Sequence, residues 1–515
     1  MTKKEACFLK TKRLCDIRTE CAAETSLPDY NTDVRKILHV SAKPHPISSF
    51  VSDEGIECSG EVTFEVVYLD FEGAVCSASF CGDYSFKAKC DTGAYKDSLV
   101  ETMLGNLSLR LLSPRKISAK ASLESSVTLV FEETVSIDGD ALDADKNAEV
   151  DEQSISAIST VMTPAAEREY GVSLARFDGK TTDEVHLVHI SVTPVVERIE
   201  VFGDEAELAG KIEVSALIRT DEYPLYRLDK SLELSQKIPL GDVDAAAELK
   251  SVIEVVSASV ATEGDEGGVE MMLNVITEAR VVGEKNESIN LATDAYLCQC
   301  HCECTHENLS YDEYMGRRAM TKEISDKVPL SNLGVGKLRE VVWADAQNKV
   351  CSVECADGSV AVESEIRVSI IAAEINDEGG VEFVPIKFVT KLNENVNLGC
   401  HMGDKTSCFS DIKLSGVSAT VDSDYIYFKA DARLEVGAVS HREARVLTRA
   451  RAVLSEPYHN NPSRISVYYP SDGDTLYTVA KAYHTTKEKI LADNPSALDT
   501  VANGEVSALK HLIIT

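Results

Sequence analysis

The ten residues LCQCHCECTH, 297–306, alternate cysteines with other polar residues. Cys298, Cys300, Cys302 and Cys304 form the series, with His301 inside it and His306 just beyond. Thiolate and imidazole are the donors of zinc and iron–sulfur centres. The spacing resists a simple metal site. Alternate residues of an extended strand lie about 6.8 Å apart on one face, whereas sulfurs around tetrahedral zinc sit closer than about 4 Å. C-x-C-x-C-x-C is also not the usual C-x₂-C knuckle. Three readings stay open: a metal site that bends the strand or borrows ligands, exposed thiols that cross-link neighbouring molecules, or a cysteine-rich strand end with no chemical role.

Other chemistry is missing. No H-E-x-x-H, G-x-S-x-G or G-x-x-x-x-G-K-[ST] pattern occurs. Gly179-Lys180-Thr181 lacks the upstream glycine of a phosphate loop, and Gly334-Val335-Gly336 lacks the third glycine of a dinucleotide loop. The chain has 85 acidic residues, so a carboxylate pair suited to glycoside hydrolysis could form by chance. Its β-repeats offer no obvious cleft for one. The expectation is a protein that is not an enzyme and needs no cofactor.

Any such residues must be positioned by repeated β-structure. GEVTFEVVY begins at Gly60, GKIEVSALI at Gly210 and SEIRVSIIA at Ser364, so the copies are 150 and 154 residues apart. Each alternates apolar residues: Val62, Phe64, Val66; Ile212, Val214, Ala216; Ile366, Val368, Ile370. Period two marks a strand with one buried face. The flanks recur as well, upstream from Val40 and Ile190 and downstream from Arg115, Ile253 and Ile412. The fold class is therefore mainly β: three β-rich, sandwich-like repeat domains, then a small α+β unit. The expected boundaries are a lead at 1–25, repeats at 26–138, 166–302 and 326–456, and polar linkers at 139–165 and 303–325.

The last unit, 462–515, reads as β-α-α-β. RISVYYP at 464–470 is a strand. Asp474 or Thr475 caps a first helix whose apolar stripe is Leu476, Val479, Ala480 and Tyr483. Thr485 with Glu488 makes a capping box for a second helix, which Asn494-Pro495 ends. LKHLIIT at 509–515 is the closing strand.

Gly473-Asp474-Thr475-Leu476, Val479-Ala480, Tyr483, Thr485-Thr486, Ile490 and Asn494 resemble a LysM domain. That resemblance implies a shallow groove for N-acetylglucosamine-containing glycans, peptidoglycan or spore cortex among them. The residues carried over to it are Gly473, Asp474, Thr475 and Leu476, then Pro495, Ser496 and Ala497. Tyr477 stands where Trp is usual, and the closing segment lacks the family's proline. SLPDYNTDVRKIL (26–38), GEVTFEVVY and the Pro114-Arg115-Lys116-Ile117 turn resemble the DUF3794 family. Such repeats ahead of a C-terminal LysM resemble the arrangement in clostridial spore-coat morphogenesis proteins. The implied role is a coat scaffold tethered to the forespore surface, with coat-basement proteins as partners.

Net charge is -33. A nucleic-acid face needs clustered Lys and Arg, so that partner class is disfavoured. No apolar run is long enough for membrane insertion, and no signal-peptide h-region follows the basic N-terminus. The expectation is a cytoplasmic protein of the mother cell whose 15 cysteines stay mostly reduced.

Overall fold

The computed structural model describes residues 5–515 except 30, 46–47, 53–54, 90–93, 143–146, 222–224, 357, 376–378, 404, 459–464, 496–505 and 508, and excepting the side chains of 15, 16 and 265. The chain is mainly β. The first domain comprises β1 (Glu5–Ser26), β2 (Val34–Pro44), β3 (Ser48–Ser52), β4 (Gly55–Asp70), β5 (Val75–Ala88), β6 (Ala94–Ser113) and β7 (Lys116–Ser136). The second comprises β8 (Ala148–Met162), β9 (Ala166–Asp178), β10 (Val185–Phe202), β11 (Glu205–Thr220), β12 (Tyr226–Pro239), β13 (Glu248–Asp265) and β14 (Gly268–Leu297). The third comprises β15 (Cys300–Pro329), the single-turn α1 (Leu330–Leu333), β16 (Leu338–Ala356), β17 (Ser359–Ile375), β18 (Val381–Asn397), β19 (Thr406–Asp422) and β20 (Tyr425–Pro457).

All three domains share one plan. The middle strands form an antiparallel meander: β2 and β3 with β4 and β5, then β10-β11-β12, then β16-β17-β18. The entering strand pairs with the last strand of its own domain, giving sheets β1-β7-β6, β13-β14-β8 with β9 also on β14, and β15-β20-β19. The two sheets of each domain enclose a separate apolar core. The motif strands β4, β11 and β17 supply its centre. Val62, Phe64, Val66, Ile212, Val214, Ala216, Ile366, Val368 and Ile370 are all buried, because alternation aims each of them at the facing sheet.

Three segments differ from the sequence expectation. From Glu5 the expected lead is β1, paired with β7 and burying Phe8 and Cys21. The linker at 139–165 contains β8, paired with β14. The linker at 303–325 lies inside β15, paired with β20 from Cys300 to Pro329. Each is an outer strand of its sheet with one solvated face, so charge and polarity there reflect exposure and not a missing ladder. The domains accordingly run over about 5–136, 148–297 and 300–457. Pro164 lies in the break between β8 and β9, where the equivalent strands β1 and β15 continue.

The domains close into a ring. β2 of the first meets β17 and β18 of the third, β10 of the second meets β5 of the first, and β16 of the third meets β12 of the second. Each contact is a head-to-tail copy of the others, and three of them return to the start. On the inside, Leu38, Val188 and Val342 converge with Val67, Leu217 and Ile371 in one buried cluster. Both sets follow the 150- and 154-residue steps of the repeat. So do His39, His189 and Trp343, whose rings gather with centroids 4.8 to 6.3 Å apart. His189 Nδ1 lies 2.8 Å from Glu65 of the first domain, and His39 Nδ1 lies 3.2 Å from Ser369 of the third.

A second junction joins the other three sheets. Phe8, Ile155 and Leu309 come together there with Leu291 and Val446. Nearby, buried Glu284 of the second domain pairs with Arg13 of the first and, at 2.8 Å, with Arg317 of the third. Arg317 also reaches Glu435 at 2.9 Å, and Phe409 lies under both guanidinium groups. Among the described residues one disulfide, Cys355–Cys408, joins β16 to β19; eleven further cysteines are free thiols.

Candidate functional site

A cleft forms where the second and third domains meet the C-terminal unit. That unit is β21 (Ser466–Tyr468), α2 (Leu476–Ala482), α3 (Lys487–Asp493) and β22 (Leu512–Ile514), with β21 and β22 antiparallel. Thr475 caps α2 by accepting from the Thr478 amide, and Thr486 caps α3 by accepting from the Lys489 amide. Leu476, Val479, Ala480 and Ile490 form its core with Val506, Leu512 and Ile514. Asn494 ties the end of α3 to β22 by exchanging hydrogen bonds with the Ile513 backbone at 2.6 and 2.8 Å.

The body reaches into this core through Tyr296, at the end of β14. Its hydroxyl donates to the Thr485 carbonyl at 2.7 Å, and its ring meets Tyr477 edge-on at 5.2 Å. Lys487 pairs with Glu149 at 3.3 Å, Lys481 pairs with Asp294, and Tyr458 stacks on His484 with centroids 3.5 Å apart. The unit is therefore docked through its helical side and does not hang free.

Below that junction opens a cleft of about 610 Å³. Its floor is the start of β15, with His301, Cys302, Cys304 and His306; its walls carry Asp294, Arg445, Tyr458, Lys481 and His484. Register shifts bracket the cysteine pair, at Cys300/His301 and at Thr305/His306. Cys302 Sγ and Cys304 Sγ are 3.8 Å apart, closer than a regular extended strand would hold them. Cys304 Sγ also lies 3.2 Å from the Ala295 carbonyl oxygen. The hydrogen bond between the two sulfurs lowers the Cys304 thiol to about 7 and pushes Cys302 upward, so the pair shares its first proton loss.

Cys300, Cys302 and Cys304 pack on one apolar cluster, and Cys298 is set apart from them. Cys298 sits in the bend before β15 and packs on the C-terminal unit's core, where burial raises its thiol. Cys300 is buried beside Leu297 and Leu447. Only Cys302 and Cys304 line the cleft. His306 is committed on both nitrogens: Nε2 donates to the Thr293 carbonyl at 3.0 Å, and Nδ1 accepts from Arg445 at 3.0 Å. Among the described residues, no three His, Cys, Asp or Glu side chains converge as a metal site would require.

The residues carried over to a glycan groove take varied places. Gly473 is exposed at positive φ, with open space around its α-carbon. Asp474 accepts from the Tyr468 hydroxyl at 2.6 Å and the Ser471 amide at 2.7 Å, which hold its carboxyl below the ordinary range. Thr475 is the helix cap, Leu476 is in the core, and Pro495 is exposed. Ser496 and Ala497 lie outside the described residues. Sequence reasoning missed the outer face of the two-stranded sheet. There Ile465 and Tyr469 are each 71% exposed, Val467 is 51% exposed, and Ile513 pairs across from Val467.

No family model, curated protein or solved structure matches the chain. Among the described residues, no helix is long and apolar enough to cross a membrane.

Proposed function

We propose that the chain is a non-enzymatic scaffold of spore-coat assembly, whose C-terminal LysM-like unit tethers coat proteins to the forespore surface. One observation carries the reading. The unit is fixed to the body by its helices while its sheet turns Ile465, Val467, Tyr469 and Ile513 outward. Exposed apolar side chains gathered on a rigid, polar-rimmed support suit a protein partner. The ring supplies a stiff body, and its net charge disfavours nucleic acid. The resemblance of the repeats to DUF3794 and of the tail to LysM supplies the coat context, with coat-basement proteins as partners and the mother-cell cytosol as location. The test is a chain with Val467→Asp and Tyr469→Asp, followed in sporulating cells. It should stay folded yet disperse through the mother cell and lose its coat partners on pull-down. Normal localisation of that variant would refute the tether.

A second reading, binding of N-acetylglucosamine-containing peptidoglycan or spore cortex, draws support from the open, exposed Gly473 turn. Loop backbone groups of this kind can hydrogen-bond acetamides. Sedimentation of the intact chain with purified peptidoglycan, competed by soluble chitooligosaccharide, distinguishes it. Absence of sedimentation removes this reading and leaves the first untouched.

A further inference from the structure

We propose that Cys302 and Cys304 form a thiol–disulfide exchange site that takes a small anionic disulfide into the cleft beneath the C-terminal unit. The two sulfurs already stand 3.8 Å apart, facing the same 610 Å³ space. Closing them to a disulfide bond of about 2.05 Å requires the strand to bend locally. The ladder with β20 is regular from His301 to Thr305, and the register shifts that flank it leave this short stretch bounded by irregular backbone at both ends. The cleft walls carry the Arg445 guanidinium, the Lys481 ammonium with its partner Asp294, and the ring of Tyr458. They suit a ligand with carboxylates and an apolar or aromatic body.

The roles are unequal. The contact with Cys302 holds the Cys304 thiol below the ordinary thiol range, which makes Cys304 the easier thiolate and so the attacking group. Its thiolate displaces one sulfur of the disulfide R–S–S–R, forming a Cys304–S–S–R bond and releasing R–S⁻, which takes up a proton. Cys302 then loses its proton and attacks the Cys304 sulfur, expelling the second R–S⁻. The protein's two thiols are oxidised to one disulfide, and the incoming disulfide is reduced to two thiols. Two electrons and two protons leave the protein, so the exchange balances without any other reactant.

The other free thiols differ. Cys7, Cys81 and Cys351 are exposed thiols, while burial raises Cys21 and Cys58. Those exposed thiols serve as internal references.

The probe is 5,5′-dithiobis(2-nitrobenzoate), an anionic aromatic disulfide, added below stoichiometry to the reduced full-length chain. Peptide mapping by mass spectrometry reads the products. The expected result is a Cys302–Cys304 disulfide, formed several-fold faster than any adduct on Cys351, with no lasting adduct on either cleft cysteine. Cys302→Ser should then trap the mixed disulfide on Cys304, and Cys304→Ser should slow reaction at the cleft to the rate of an ordinary exposed thiol. A stable adduct on Cys304 of the intact chain would overturn the proposal. So would reaction at Cys304 no faster than at Cys351. Because the two variants differ in which step they block, a fold defect in one leaves the other decisive.

Discussion

The Arg115 guanidinium lies 2.8 Å from the Asp33 carboxylate and so joins two stretches of chain, its own and that of Asp33, that are remote in sequence. Nη1 also donates to the Asn31 carbonyl at 3.1 Å, and Nη2 donates to the carbonyls of Leu27 and Pro28 at 3.2 and 2.7 Å. The backbone adds two more links, from the Leu27 amide to the Arg115 carbonyl and from the Val34 amide to the Pro114 carbonyl. One planar side chain thus holds the entry to β2 against the turn between β6 and β7.

Replacing Arg115 by Ala should destabilise the first domain by about 1.5–3 kcal/mol, the range for hydrogen bonds to a charged group. Arg115→Lys should recover little of it, because a single ammonium cannot reproduce the fork. Urea unfolding, followed by hydrogen exchange in β2 and β7, measures both. Equal stability of the lysine variant and the wild type would show that charge alone matters.

The ring centre makes the fold sensitive to acid. His39 is buried, and desolvation, with help from His189 and Lys387, holds its imidazole well below the ordinary value. It is therefore neutral in the folded ring, but it takes a proton in the unfolded chain below about pH 6.5. The unfolded state then binds more protons, so this contribution to stability is present above that pH and is lost as pH falls. Asp345 lies 3.6 Å away and Glu65 stands against His189, yet burial outweighs both at His39. Relief of the chain's acidic self-repulsion acts in the opposite sense. A comparison with His39→Gln isolates the imidazole. The wild type should lose up to about 1.4 kcal/mol more per pH unit than the variant as pH drops below 6.5. Trp343, the chain's single tryptophan, touches both histidines and reports the opening by its fluorescence. Parallel curves for the two proteins would rule out His39 as the source.

Much of this architecture is legible in the sequence, for a physical reason. The nine alternating residues of the motif strands are buried because a two-residue period can satisfy only one buried face. The 150- and 154-residue steps also place His39, His189 and Trp343 at one repeat position. That coincidence lies one residue before the aligned flank beginning at Val40 and was available to closer reading. The outer strands β1, β8 and β15 were hidden because solvated strands take polar residues, and composition alone cannot separate them from linkers. The cleft was hidden for a different reason. Its walls come from Asp294, Arg445, Tyr458 and Lys481, and only docking of the C-terminal unit brings them to the cysteines. The side chains of Cys302 and Cys304 share that cleft because pairing with β20 holds this stretch extended.

That docking rests on Tyr296, which is 4% exposed and supplied by the body to the core of the C-terminal unit. Its replacement by Ala removes the edge-on contact with Tyr477 and the hydrogen bond to the Thr485 carbonyl, and leaves a cavity. Loss of a large buried aromatic costs about 3–5 kcal/mol. The cost should fall on the unit and not on the ring, whose clusters do not include Tyr296. Amides of 476–493 should then exchange faster by local opening, while those of β4, β11 and β17 keep their protection. The cleft opens in the same event, so Tyr296→Ala should also expose Cys302 and Cys304 to bulky thiol reagents. Unchanged exchange across α2 and α3 would mean that the ion pairs of Lys481 and Lys487 hold the unit by themselves. Such partly exposed pairs contribute about 0–1 kcal/mol each, too little to mask the loss of the tyrosine.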